Sequence, residues 1–309
     1  MTSLRLIARP VLGGLVLLFA FTALYVTAFH SPRPRGLDVG VVGSAQEAAR
    51  VQRALDPGAF HVHRYGGERQ ARAALLDTDV RGVVVGRRIL VARAFGVVPT
   101  QTVAEALRTA AGAPARVEDL RPLPPGDRNG LSGLFTIVGT LIPSLVFGAL
   151  LSVLGRRLPA RVRWTAVAAY SVLAGVVVAF NADVLIGALD GHFGGIALAT
   201  GLLALAVSAT AHGLGHLGGP VGVVLAILTL LLLGLSSSGG AVTYEFEPGF
   251  YGALSQLLPP GVALTAVRNI QYFDWAATLG PLLVLSAWAA GGVVLGVLGE
   301  RFGPHVRSA

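Results

Sequence analysis

Six stretches of this chain run for about twenty residues on apolar side chains, at residues 11–29, 132–154, 163–181, 194–211, 219–236 and 277–298. A helix needs ~20 such residues to cross a ~30 Å hydrocarbon core. Only 13% of the residues are charged, against roughly 25% in soluble domains. The pattern predicts an α-helical integral membrane protein with six transmembrane helices, arranged as one plus five.

The first run, "VLGGLVLLFAFTALYVTAF", follows Arg5 and Arg9. It is longer than the ~7–15-residue core of a secretory signal and lacks an A-x-A cleavage site. We read residues 1–30 as an uncleaved anchor with its N-terminus inside.

Residues 31–130 differ in kind, carrying 15 arginines against 10 acids between short apolar segments. "LDVGVV" reads as a buried strand. Ser44 and Glu47 have the spacing of a capping box ahead of a helix with apolar positions at 48, 51 and 55. "FHVHRY" alternates as a strand should, "ERQARAALL" reads as a helix, and "GVVVG" with "RILVARA" reads as a hairpin turning near Gly86 and Arg87. A third helix is expected from Thr102, paired with Glu105, to Gly112, followed by a strand in "ARVEDLRPL". The expectation is a β-α-β-α-β-β-α-β unit inserted between the first and second spans. "PLPPGDRNG" would link it to the five-helix domain of residues 131–309.

Arginine distribution orients the spans, because cytoplasmic loops retain positive charge. With the N-terminus inside, the inner segments hold Arg156, Arg157, Arg161, Arg163, Arg301 and Arg307 against Glu300. The outer ones hold Arg268 against Asp183, Asp190, Glu245, Glu247 and Asp274. The α/β domain is therefore expected to be extracytoplasmic, in a multi-pass plasma-membrane protein with both termini cytoplasmic.

Composition removes several functions. No lysine occurs among the 24 basic residues, so a phosphate loop of the GxxxxGK[ST] type is excluded. No cysteine occurs, which removes disulfides, thiolate catalysis and cysteine-held metals. The net charge of +8 is spread over the globular segment and membrane flanks and is not read as a nucleic-acid surface. No cofactor is expected. "HGLGH" places His212 and His216 four apart, a metal-ligand spacing on a helix, but the intervening glycines favour a cytoplasmic loop. "GLSG" at 130–133 matches the surroundings of an intramembrane protease serine, yet Ser132 lacks a histidine base other than His192 at its depth and reads as a helix cap. Asp183 and Asp190 read as charges at the end of a span. The spacings Gly187/Gly191/Gly195 and Gly292/Gly296 read as close helix packing.

Residues 237–276 are too long for a passive turn and too apolar for a solvated loop. "GFYGALSQLL" carries Phe250, Leu254 and Leu257 at helical spacing, and "GVALTAVRNI" carries Val262, Ala266 and Ile270. Pro259 and Pro260 separate them. Each half is too short to span, so a re-entrant helical hairpin at about 245–272 is expected, with an interfacial amphipathic hairpin as the alternative.

Together these features resemble the ABC exporter permeases of type 2, and most closely the phage infection protein branch with related actinobacterial membrane proteins. The resemblance rests on the one-plus-five topology, the inserted domain, and Gly239, Gly240, Glu245, Pro248, Gly249, Phe250, Leu258, Pro259, Ala263 and Arg268 in their order. It implies a transport subunit whose last two spans are joined by re-entrant helices forming an outer gate, with Glu245, Glu247, Pro248, Gly249, Phe250, Pro259, Pro260 and Arg268 as candidates. It also implies a homodimer or paralogue heterodimer in the lipid bilayer and a separate ATP-binding subunit. The coupling loop would be "GRRLPARVR", with Arg156, Arg157, Arg161 and Arg163. That loop is short, interrupted by Pro159 and purely basic, unlike the helix such permeases offer an ATPase. A non-transporting envelope scaffold or receptor therefore stands as the alternative.

Overall fold

The computed structural model describes residues 2–30, 32–112, 114–240 and 242–302. Arg307 and the side chains of Arg5 and Arg9 lie outside what is described.

The sheet domain contains the eight elements in the expected order: β1 Leu37–Val42, α2 Ala45–Ala54, β2 Phe60–Tyr65, α3 Glu68–Leu76, β3 Gly82–Val85, β4 Arg88–Val91, α4 Val97–Ala111 and β5 Arg116–Asp119. They follow α1, Thr2–Phe29. The strand order is β2-β1-β3-β4-β5, parallel except for the β3–β4 hairpin. Alternation sets the layers: Val84 and Ile89 face α2 and α4, whereas Val83 and Leu90 face α3. Ser44 and Glu47 form the full capping box. Gly86 turns the hairpin at φ 56°, where other residues are strained.

The third helix of this domain departs from expectation. It begins at Val97 after Gly96, and Thr102 lies inside it, donating its hydroxyl to the Val98 carbonyl. Pro99 explains the shift, since a proline in the first turn forfeits an N–H that no carbonyl would have accepted.

Among the described residues, five helices are long and apolar enough to cross a membrane: Val11–Phe29 of α1, α5 (Ser132–Leu154, continuing to Arg157), α6 (Ala160–Ala179, continuing to Leu185), α7 (Phe193–Ser236) and α10 (Leu279–Phe302). The chain is thus a mostly helical membrane-protein candidate with a sheet between residues 37 and 119. α7 has 44 residues and is not one rod. Gly219 is non-helical (φ 58°, ψ −138°), Pro220 follows, and a methyl on Gly222 would lie 1.8 Å from the Leu214 carbonyl oxygen. The chain therefore doubles back at Gly219, eight residues later than the expected loop start at Ala211. His212 and His216 are helical, not in a loop.

Glycine sets the bundle's close crossings. A methyl at Gly148 of α5 would meet the Ser208 carbonyl at 2.4 Å, and one at Gly175 of α6 the Ala197 carbonyl at 2.3 Å. Gly292 abuts the Thr210 amide and Gly296 abuts Trp164. The other small-residue series divides: Gly195 packs under Ile270 and Trp275, but Gly187 and Gly191 have positive φ in the α6–α7 turn and lie on no helix face.

Between α7 and α10 the chain forms α8 (Gly249–Ser255) and α9 (Pro259–Tyr272). α8 ends before Leu257, and α9 is longer than the sequence suggests. Pro259 and Pro260 occupy its first two positions and Leu258 before them is extended, so the prolines start this helix, while α8 has already ended at Ser255. Val262, Ala266 and Ile270 are buried in the bundle core. The Trp288 indole donates to the Leu257 carbonyl at 2.7 Å. Nine residues of α10 separate Leu279 from Trp288, about 13 Å of helix, so the hairpin tip reaches well down the bundle.

Candidate functional site

The candidate gate residues collect where the hairpin meets the sheet domain. Gly239 holds φ 67° and its amide donates to Glu247 Oε1 at 3.1 Å. Tyr244–Phe246 then form a single 3₁₀ turn that presents Glu245 to the sheet. Arg81, which leads into β3, places Nε at 2.8 Å and Nη2 at 2.5 Å from Glu245 Oε1. The linker after α1 joins the same point: the Arg35 amide donates to the Glu245 carbonyl at 2.9 Å and the Arg33 amide to the Phe246 carbonyl at 3.2 Å. The Arg81 guanidinium lies 4.3 Å above the Phe95 ring, which stacks on Phe273 just beyond α9. One glutamate thus binds sheet domain, anchor linker and hairpin.

The electrostatics of the two glutamates diverge. Burial pushes the Glu245 carboxyl up, but Arg81 outweighs burial and holds it below its usual range. Arg81 is likewise disfavoured by burial and restored above its ordinary value by Glu245. Glu247 is 1% exposed and has no such cation. Burial, with the nearby Glu245 charge, drives its carboxyl up to about 8 against the one Gly239 hydrogen bond. Oε2 of Glu245 and Oε2 of Glu247 are buried without a donor.

The remaining candidates surround this point. Pro248 caps α8, Gly249 is its first residue, and the Phe250 ring is largely exposed. Tyr251 donates to the Leu24 carbonyl of α1 at 3.2 Å. Arg268 lies within the electrostatic field of Glu245, Arg81, Tyr244 and Tyr272. Pro259 and Pro260 are buried at the far end of the hairpin, where Pro260 lies against Gly234.

Some contributors escaped the sequence reading. Asp127 accepts from the Leu131 and Ser132 amides at 3.0 Å and from Tyr272 Oη at 2.8 Å, so it caps α5 and pins the end of α9 together. It takes the capping role expected of Ser132. Its signal was the D-x-x-x-L-S spacing before an apolar run. Arg81 carried no local signal, since its partner lies 164 residues away.

At the opposite end of the bundle the basic residues separate. Arg157 and Arg161 are exposed, whereas Arg163 belongs to α6, is 5% exposed, and donates to Glu300 Oε1 and to the Leu158 carbonyl, each at 2.6 Å. Arg156 donates to the Ser152 carbonyl at 3.2 Å. The connection they share is one 3₁₀ turn, Gly155–Arg157, closed by Leu158 and Pro159. His212 and His216 stack with ring centroids 5.5 Å apart, and neither nitrogen of His212 finds a partner. Among the described residues no three His, Asp or Glu side chains converge as metal ligands. Asp183 accepts from the Gly191 amide and closes the α6–α7 turn.

No protein-family model, curated protein or solved structure matches this chain.

Proposed function

We propose that the chain is a permease-like subunit of a membrane exporter that passes a hydrophobic or amphipathic substrate outward. In this reading α7 counts as two spans divided at Gly219, giving six. The sheet domain lies on the extracytoplasmic side of the plasma membrane, and both termini are cytoplasmic. Half a pathway per chain calls for a second copy or a paralogue, and energy comes from a separate ATPase. The observation that carries the reading is the α8–α9 hairpin. It enters the bundle beside Trp288, returns to the sheet-domain end, and is fastened there by Glu245 to the element that would face solvent. Broken helices within a bundle are tolerated where they line a pathway or pack in protein. Pro259→Ala with Pro260→Ala should alter export of, or resistance to, amphipathic compounds in cells while the protein still accumulates in the membrane. Unchanged export at equal protein levels sinks the gate.

One observation favours a second reading, an envelope scaffold or receptor without transport. The α5–α6 connection is a single turn and Arg163 is consumed by Glu300, so an ATPase would find two exposed arginines and no helix. Deleting residues 36–121 separates the readings. A receptor loses all function, whereas a conduit retains part of it.

A further inference from the structure

The two edges of the sheet are finished differently. At one edge β2 turns the Phe60 carbonyl and the Val62 amide outward, and the Gln52 side chain of α2 bonds both, at 3.1 Å and 2.8 Å. That side-chain amide stands in for a missing strand, one way of blunting an edge against further pairing. β5 at the other edge has no such cover. Its Arg116 and Leu120 amides donate inward, to the Arg87 and Val91 carbonyls at 3.0 Å and 2.8 Å. By alternation Val117 and Asp119 turn their N–H and C=O groups outward, where no described residue bonds them. Both residues are partly exposed.

The second observation is a groove of about 400 Å³ beside this edge, between β5 and α4, with Val91, Thr100, Ala104 and Val117 in its wall. A strand added to β5 would turn every second side chain into that groove. The side chains between them would lie on the other face of the sheet, beside Arg116, the register partner of Arg88. The charge there is positive once all the neighbours are counted. Arg72, Arg88, Glu68 and Glu118 close a neutral ring, and Arg121 is paired with Asp274. Arg87, Arg93, Arg108 and Arg116 remain around the edge against Glu105 and Asp119. Arg87 and Arg116 are exposed and form no ion pair among the described residues.

We propose that the β5 edge docks an extended peptide of a partner protein, one that alternates apolar with acidic residues and joins the sheet as a sixth strand. Main-chain bonds to Val117 and Asp119 would supply affinity, and the groove and Arg116 would supply selectivity. A second copy of the chain is a poorer occupant, because copies side by side in one bilayer would set this basic edge against itself. The inference rests on the sheet domain alone and on neither reading of function.

The test titrates a fluorescent heptapeptide of alternating valine and glutamate with the purified full-length chain in detergent, reading anisotropy, and locates the peptide by amide hydrogen exchange. Control peptides carry N-methyl groups throughout, or lysine in place of glutamate. Saturable binding of the glutamate peptide alone is expected, with new protection at the Val117 and Asp119 amides. Val117→Pro removes one outward N–H and no bond within the sheet, a change that an edge strand tolerates. It should weaken binding about fivefold, as loss of one hydrogen bond requires. Arg116→Glu should weaken binding several-fold. No saturable binding at millimolar peptide, equal binding of either control, or protection only elsewhere overturns the proposal. Protection of the two amides before any peptide is added also overturns it, since copies of the chain would then pair there. If Val117→Pro does not fold, unchanged affinity in Arg116→Glu overturns it instead.

Discussion

The Arg81–Glu245 pair is the contact on which the junction depends, and its contribution can be worked out. The side chains are 15% and 10% exposed, so removing one partner strands a largely buried charge, which typically costs about 3–5 kcal/mol. Both Arg81 donors fall on Oε1, leaving Oε2 bare. The pair is thus less than a full two-oxygen fork, which places the loss at the lower end, about 3 kcal/mol for Arg81→Met or Glu245→Leu. The double substitution removes both charges and should cost only about 1 kcal/mol, far less than the ~6 kcal/mol of the two single losses added together. Thermal unfolding in detergent measures the four proteins, and hydrogen exchange at β3 and the 244–246 turn locates the effect. The linkage has a definite sign. Glu245 titrates lower folded than unfolded, so its stabilisation is full above the unfolded carboxyl range near ~4.3 and is lost as pH falls through the depressed value. A double variant as unstable as the two single losses added together would refute the argument, because the charges would then act independently.

Four further outcomes follow from the geometry. Glu247 titrates higher folded than unfolded, so wild-type stability should fall between about pH 4.5 and 8, by at most ~1.4 kcal/mol per pH unit, and Glu247→Gln should flatten that slope in pH-dependent melts. Trp288→Phe removes the bond to Leu257 and should cost about 1 kcal/mol, with faster exchange in α8. Gly292→Ala forces a methyl to 2.5 Å from the Thr210 amide and should cost about 1–3 kcal/mol or more in the melting of the bundle. Asp127→Ala strips the α5 cap and the Tyr272 bond together and should cost about 2 kcal/mol, more than a lone cap.

The sheet domain was legible because its signals are local: a capping box at Ser44 and Glu47, alternation in β2, and glycines 86 and 112 at positive φ. The hairpin was legible in outline, since the adjacent Pro259 and Pro260 mark a helix start, but its second arm was underestimated. Periodicity reports which face is apolar and not whether the other is buried as well. The histidine pair was misread for a reason that recurs in this bundle. Gly213 and Gly215 look like helix breakers by propensity, yet one abuts the Gly292 carbonyl and the other the Ser152 side chain. Tertiary packing between close helices offsets their ~1 kcal/mol intrinsic cost. The Arg81–Glu245 contact joins segments far apart in sequence and left no periodic trace.

The distribution of satisfied and unsatisfied polar groups bears on how any substrate would meet this bundle. Thr140, Ser144, Ser171, Thr200 and Ser208 are buried within the helices, and each donates to the carbonyl four residues before it. Such hydroxyls are already spent and present little to a polar guest. Buried atoms without partners gather instead at the two ends. Thr243, Glu245 and Glu247 lie beneath the sheet domain, and Thr210, His212, His216 and Arg163 Nε lie at the opposite end. Buried polar atoms without partners thus collect at the two ends of the bundle, with a self-satisfied stretch between. That division matches the amphipathic substrate of the transport reading. It also separates the roles of the junction residues, with Glu245 holding the hairpin to the sheet and Glu247 buried on the Gly239 amide.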